Sequence, residues 1–156
     1  MSTDLDPAAA VIRPAQRRDL PQIVAIDATV TGLEKRDYWD GVFGRYGANG
    51  KGKAGRQFLV ADAAGRVVGF VIGEVRDWEF GSPSCGWVFG IDVDPPFRQA
   101  GIGTRLLDAI CASFRRAGVN KVRTLLARDN TLILSFFRSQ GMMAGPFIPL
   151  EKNLDV

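Results

Sequence analysis

The chain has 156 residues, of which 46% are hydrophobic and 24% are charged, the balance of one ordinary globular domain. Twenty basic side chains against seventeen acidic ones give a net charge of +3, so nucleic acid is not expected as a partner. Histidine is absent, which excludes a histidine general base and the Ser-His-Asp and Cys-His mechanisms. Any chemistry must use carboxylates, backbone dipoles or water, and no metal ion is expected.

The cysteines and the N-terminal residues indicate the cellular compartment in which the protein is expected. Cys85 and Cys111 form no CxxC pair, so a buried apolar role is expected for both. Asp4 and Asp6 stand where a signal peptide would have its basic region, and no apolar stretch reaches membrane-spanning length. The sequence therefore predicts a cytoplasmic protein without a membrane partner.

Hydrophobic spacing predicts the elements of the first third of the chain. Residues 1–9 are expected to be a disordered tail, followed by a short strand over 10–13. A helix capped by Asp19 follows, and a second helix is expected over 34–43. Residues 44–55 contain five glycines and three basic side chains, which predicts a flexible basic loop.

The rest of the chain alternates apolar strands with amphipathic helices, which favours a mixed sheet covered by helices. No internal repeat or second domain is indicated, so one domain over 1–156 is expected. The predicted elements, in order, are strands 57–62, 66–75 and 86–93, helix 104–117, strand 121–127, helix 131–140 and strand 146–152.

The segment between strand 86–93 and the next helix carries a ligand-binding signal. Arg98 lies in a short loop, and Gly101 and Gly103 open the helix. Glycine permits close approach of a ligand, and the helix start offers unpaired N–H groups and a positive dipole end, which suit a phosphate. Leu106 occupies the third glycine position of GxGxxG, and no GK[ST] is present, so two other phosphate motifs are excluded. Spacing alone leaves open that the glycines serve packing only.

The amino acids of this segment also resemble the motif of a known protein family. Arg98-Gln-Ala-Gly-Ile-Gly103 resembles the coenzyme A signature [QR]xxGx[GA] of the GNAT acyltransferases. Residues 130–142 resemble that family's next helix, with an Asn, an aromatic pair and a closing Gly, and residues 12–20 resemble its first strand and helix. The resemblance implies an α/β (α+β) GNAT fold, a mixed, mostly antiparallel central sheet of about six to seven strands flanked by about four helices.

The resemblance also implies acetyl-CoA as co-substrate and assigns residues to it. A backbone N–H near Val93 is expected to polarise the thioester carbonyl, and one such donor is worth on the order of 10² to 10³ in rate. The implied cofactor-binding residues are Arg98, Gln99, Ala100, Gly101, Ile102, Gly103 and Thr104 at the pyrophosphate, Ile91 and Val93 along the pantetheine arm, and Asn130 and Phe137 on the following helix.

Two features depart from the family pattern. Phe137 stands where the family often has a tyrosine that protonates the leaving thiolate, and Trp87 and Phe89 stand where relatives often carry a base. A thiol of pKa about 8.5 is a tolerable leaving group, so the first loss lowers the rate without abolishing transfer. The candidate catalytic carboxylates are, in order, Glu74, Asp92 and Glu79, with water or an ordinary salt-bridged role as the alternative for each.

The sequence therefore predicts an acetyl-CoA-dependent N-acetyltransferase that transfers acetyl to a primary amine by direct attack in a ternary complex. The acceptor is left open between a protein lysine or N-terminus and a small amine, and a homodimer is left open too. The alternative is a catalytically degenerate acyl-CoA-binding or sensing module, which Phe137, Trp87 and Phe89 motivate.

Overall fold

The computed structural model describes residues 5–47 and 55–155. Short 3₁₀ turns at Pro7–Ala9, Arg17–Asp19, Glu79–Gly81 and Pro95–Phe97 punctuate the described chain. Its strands and helices are β1 (Val11–Pro14), α1 (Leu20–Thr31), α2 (Arg36–Tyr46), β2 (Arg56–Ala63), β3 (Arg66–Arg76), β4 (Cys85–Val93), α3 (Ile102–Arg116), β5 (Val122–Thr124) and α4 (Thr131–Ser139).

The strands form one sheet in the order β1-β2-β3-β4-β5. The first three pairings are antiparallel, and β5 is parallel to β4. This confirms the mixed, mostly antiparallel α/β fold with four helices, although the described residues contribute five strands instead of the six to seven expected.

The predicted last strand, residues 146–152, is wrong. These residues form no strand, and Ile148 and Leu150 are exposed. Pro146 and Pro149 lack backbone N–H donors, which is why this apolar stretch cannot sustain a ladder of hydrogen bonds. The predicted strand 121–127 is reduced to the three residues of β5.

The structure describes parts of the predicted N-terminal tail and basic loop. Residues Pro7–Ala9 form a turn in which Asp6 Oδ1 accepts the N–H of Ala8 at 2.9 Å, and disorder of the tail stays a prediction. The helix α2 continues to Tyr46 and thus includes Arg45, which the sequence placed in the loop. Residues 48–54 of that loop lie outside the described residues.

The two faces of β3 bury different elements. Phe70 and Ile72 pack into a core formed with α1 and α2. On the opposite face, a Cβ at Gly69 would lie 3.4 Å from Ile102 Cγ2 and 3.0 Å from the carbonyl oxygen of Asp92. Because glycine leaves this space free, the first turn of α3 lies directly beside the end of β4.

The chain divides into two compact units, Met1–Leu125 and Leu126–Val156. The first contains the whole sheet with α1, α2 and α3, and the second contains α4. The expectation of one domain stays a prediction. No helix in the described residues is long and apolar enough to cross a membrane, and no three His, Cys, Asp or Glu side chains among them are grouped to hold a metal ion.

Candidate active site

The loop after β4 turns sharply into α3. The turn Pro95–Phe97 ends the strand, and the buried Phe97 is covered by the guanidinium of Arg66, 4.9 Å from its ring centroid. Gln99 and Gly101 have left-handed φ angles of +67° and +80°. A Cβ at Gly101 would meet no atom within 4 Å, so the space in front of the helix start is open.

The first turn of α3 directs backbone N–H groups into this space. Arg105 N donates to the carbonyl of Gly101 at 3.1 Å, so Ile102 and Gly103 have no preceding helical turn to supply acceptors for their N–H groups. The positive end of the helix dipole adds to the suitability for a pyrophosphate. The predicted pyrophosphate residues form the loop end and the first turn of α3, and their binding of a pyrophosphate stays a prediction: Gln99, Ala100, Gly101, Ile102, Gly103 and Thr104.

Arg98 is engaged with the end of β4. Its Nε donates to the carbonyl oxygen of Val93 at 2.9 Å, and its Nη2 lies 3.4 Å from Asp92 Oδ1. The guanidinium therefore fixes the strand end and partly neutralises Asp92. Its predicted contact with the pyrophosphate stays a prediction.

Strand β4 has a bulge and an open edge. Ile72 pairs with Gly90 and Gly73 with Val88, which leaves Phe89 as the extra residue. In the described part of the chain, β5 pairs with β4 only along Gly86–Val88. The stretch from Phe89 to Val93, which includes the predicted Ile91, therefore has one edge free to hydrogen-bond an extended ligand such as a pantetheine arm.

A cavity of about 360 Å³ lies between this part of the sheet and the helices α1 and α2; we call it the aromatic cavity. Its aromatic lining consists of Tyr38, Trp39, Tyr46, Phe70 and Phe89. Its charged lining consists of Asp27, Lys35, Arg45, Arg76 and Asp92. The cavity thus combines an apolar wall with charges of both signs, as a site for a small polar molecule requires.

Asp92 is the predicted catalytic candidate that lines this cavity. It pairs across strands with Phe70 and so lies on the same face of the sheet. Burial raises the pKa of Asp92 to about 6, because desolvation outweighs the stabilisation of its charge by the Val93 N–H and by Arg98, while Asp27 raises the pKa further. The carboxylate is therefore charged at neutral pH, yet basic enough to accept a proton.

The amide of Val93 has a different partner from the one expected. Its N–H donates to Asp92 Oδ1 at 3.0 Å. In this structure the strand end presents a carboxylate bonded to that N–H, so polarisation of a thioester by Val93 requires this hydrogen bond to open. That role stays a prediction.

Sequence reasoning did not single out Asp27. Its Oδ2 accepts the indole N–H of Trp39 at 3.0 Å and lies 3.1 Å from Lys35 Nζ. The available signal was a carboxylate on the apolar face of α1, next to the buried Ile26. The aromatic cavity therefore has two carboxylates, and Lys35 neutralises one of them.

The other two carboxylate candidates are engaged in ion pairs. Glu74 lies 3.0 Å from Arg56 Nε and 3.4 Å from Arg76 Nε, and it accepts the hydroxyl of Tyr46 at 3.3 Å. Glu79 is exposed and lies 3.3 Å from Arg76 Nη1. Among the described residues that line the aromatic cavity, the carboxylates are Asp27 and Asp92. The geometry favours Asp92 over Glu74, which the sequence ranked first.

The apolar positions on β4 are covered by one cation. The guanidinium carbon of Arg76 lies 5.7 Å from the ring centroid of Trp87 and 4.5 Å from that of Phe89. Such cation–π contacts stabilise the charge over the rings. Trp87 and Phe89, which stand where relatives often carry a base, therefore hold the guanidinium of Arg76 in place.

The unit Leu126–Val156 contains the remaining two predicted residues. Asn130 caps α4, with its Oδ1 accepting the N–H of Ile133 at 3.2 Å. Phe137 is buried, and its ring packs edge-on against Phe136 with centroids 5.3 Å apart. Their contacts with a coenzyme stay predictions.

A glycine-rich helix start, an open strand edge and a carboxylate-lined cavity all adjoin β4, an arrangement that suits an acyl-CoA-dependent transferase. The family model described as the acetyltransferase (GNAT) family matches residues 22–142, and the chain belongs to this family. This confirms the family resemblance seen in the sequence.

A curated relative and two solved structures extend the comparison. The chain is 32% identical over 97 residues to L-2,4-diaminobutyric acid acetyltransferase of Nocardia farcinica (strain IFM 10152), a match that covers 62% of the chain and 49% of the relative. The chain thus spans about half the length of this curated relative.

The solved structures match almost the whole chain. Aminoglycoside N-acetyltransferase AAC(6')-Iy in complex with CoA superposes with a TM-score of 0.78 at 18% identity, over 93% of this chain and 95% of the other. A transcriptional regulator from Bacillus halodurans C-125 superposes with a TM-score of 0.77 at 18% identity, over 93% and 99%. At such identities the likeness shows the fold alone.

Proposed function

We propose that this chain is an acetyl-CoA-dependent N-acetyltransferase whose acceptor is a small primary amine bound in the aromatic cavity. The observation that carries the proposal is the position of Asp92, which lines the cavity at the open end of β4 beside the helix-start loop. A base at this position would lie near an amine in the cavity and a thioester along β4, which supports the proposal.

The loop and the strand edge suit the coenzyme. The N–H groups at the start of α3 would bind the pyrophosphate, and the open space at Gly101 leaves room for it. The free edge of β4 would pair with the amides of the pantetheine arm. Both contacts use the backbone, so they do not depend on the positions that depart from the family pattern.

Asp92 is the proposed general base. Transfer forms a bond from the amine nitrogen to the thioester carbon, breaks the carbon–sulfur bond and releases a proton from nitrogen. A carboxylate whose pKa is raised to about 6 takes that proton, directly or through one water, more readily than an ordinary aspartate. The CoA thiolate leaves and takes up a proton from solvent.

The cysteines support direct attack over a covalent acetyl-enzyme. Cys85 is buried, and burial also raises the pKa of Cys111 on α3. A nucleophilic cysteine needs a lowered pKa and access to substrate. Cys85 lacks the access and Cys111 lacks the lowered pKa, which favours a ternary complex.

The aromatic cavity favours a small acceptor over a protein lysine. Its volume of about 360 Å³ lies at the lower end of the range of small-molecule sites, which suits a small amine. The names of the comparison proteins agree, since diaminobutyric acid and aminoglycosides are both small amines.

Calorimetric titration with acetyl-CoA and CoA, followed by a thiol-release assay, tests the proposal. We expect coenzyme binding, and thiol release that depends on a small amine and exceeds the release with a lysine peptide. Binding without release from any amine would contradict it and favour the sensing module. Faster release with the peptide would contradict the small acceptor.

A further inference from the structure

The charged residues of the aromatic cavity are mostly paired with one another or with their neighbours. Lys35 pairs with Asp27, and Arg76 pairs with Glu74 and Glu79. These ion pairs neutralise the charges of Lys35, Asp27 and Arg76 at the cavity wall.

Two charged groups remain for a ligand. Within the described residues, the ion pair of Asp92 is the 3.4 Å approach of Arg98, and the Asp92 side chain is 19% exposed. Arg45, in the last turn of α2, forms no ion pair within residues 5–47 and 55–155. One carboxylate and one guanidinium are thus available at the same cavity.

This distribution disfavours a polycationic acceptor. Among the described residues that line the cavity, Asp27 is already paired with Lys35, which leaves Asp92 as the one carboxylate available to an ammonium group. A polyamine needs several carboxylates that are free of cations, because each of its ammonium groups loses hydration on entry. An amine that also bears an anion can use both available groups.

We propose that the acceptor is a primary amine bearing a carboxylate, whose carboxylate is bound by Arg45 while its amine approaches Asp92. A guanidinium binds a carboxylate through two parallel hydrogen bonds, which makes Arg45 the specificity-determining residue. The aromatic wall around Tyr46 and Phe89, whose ring centroids are 6.0 Å apart, suits the aliphatic body between the two groups. This inference rests on the proposed acetyltransferase activity.

Acceptor pairs that differ only in the carboxylate test it. L-Lysine is compared with 1,5-diaminopentane, and L-2,4-diaminobutyrate with 1,3-diaminopropane, by thiol release from acetyl-CoA. We expect kcat/KM to be at least about tenfold higher for the carboxylated member of a pair, the usual value of a charged hydrogen bond. Equal values, or a preference for the diamines, would overturn the inference while leaving the acetyltransferase activity intact.

Variants at Arg45 test whether this residue causes the preference for carboxylated amines. In Arg45→Gln we expect KM for the carboxylated amine to rise about tenfold, so that the two members of a pair become nearly equivalent. Arg45→Lys retains the charge without the bidentate geometry and should restore part of the preference. Arg116→Gln is the matched control, because Arg116 is also exposed in the last turn of a helix.

The outcomes separate the two proposals. A preference that survives Arg45→Gln, or one that is lost equally in the Arg116 control, would overturn the role of Arg45. Absence of thiol release from every amine would overturn the proposed activity itself, and the acceptor class with it.

Discussion

Substitution of Asp92 by asparagine should make the protein more stable and less active. Asparagine keeps an oxygen that can accept the N–H of Val93, but it removes a charge that burial disfavours. Because the pKa of Asp92 is raised in the folded state, its contribution to stability is fully present below the unfolded value of 3.8 and is lost as the pH rises through about 6.

The size of the effect follows from the two pKa values. At pH 8, raising the pKa from 3.8 to about 6 costs the ionised wild-type chain about 3 kcal/mol relative to a neutral side chain. At pH 5 the same values give roughly half of this free energy, because the folded carboxyl is then largely protonated. The advantage of Asp92→Asn should therefore grow by roughly 1 to 2 kcal/mol between these pH values.

Urea unfolding followed by tryptophan fluorescence at pH 5 and pH 8 measures this difference. Asp108→Asn is the control, since Asp108 is exposed on α3 and should show no such pH-dependent gain. If Asp92→Asn were less stable than the wild type at pH 8, or if its advantage did not change with pH, the account of a desolvated carboxylate would be refuted.

The activity of the same variant tests the catalytic assignment. Loss of a general base costs about 10² to 10⁴ in rate, so kcat of Asp92→Asn should fall by at least about 100-fold. Glu74→Gln breaks ion pairs with Arg56 and Arg76 and should lower stability, yet keep the rise of the rate through pH 6. If Glu74→Gln lost the rise of the rate through pH 6 while Asp92→Asn kept it, Glu74 would be the general base instead of Asp92.

Three further predictions concern the loop, the sheet and the thiols. Gly101→Glu should abolish coenzyme binding in calorimetry and leave the protein folded; Gly65→Glu is the control, because its φ of +89° and open surroundings match those of Gly101. Equal affinity in both variants would speak against the pyrophosphate loop. Gly86→Ala places a Cβ against the ring of Phe114 and should cost about 1 to 3 kcal/mol in urea unfolding; an unchanged midpoint would show that α3 is packed less closely. The double variant Cys85→Ser, Cys111→Ser should retain a kcat for thiol release above about one tenth of the wild-type value, because at most about one contact is lost. A larger loss of kcat would indicate a covalent intermediate.

The loop was predictable because its signals are local. The prolines that end β4, and the glycines that open α3, act within a few residues of where they stand in the chain. The α3 helix was equally clear, since Leu106, Ile110 and Phe114 recur at helical spacing and are buried as expected.

The aromatic cavity was not predictable in the same way. Its charged residues come from α1, α2, β3, β4 and the segment between the helices, and sequence spacing does not show which of them meet. The ranking of Glu74 shows the difficulty, because its partner Arg56 lies on the neighbouring strand and its partner Tyr46 on α2. Only the fold shows which carboxylates are enclosed by cations and which line a cavity.

A crystal structure of the protein with CoA and a carboxylated amine would test the central claim most directly. We expect the pyrophosphate against the backbone of Gly101 and Gly103, and the amine within hydrogen-bond reach of Asp92, directly or through one water. An amine bound outside the aromatic cavity, or a coenzyme held away from the loop, would contradict it.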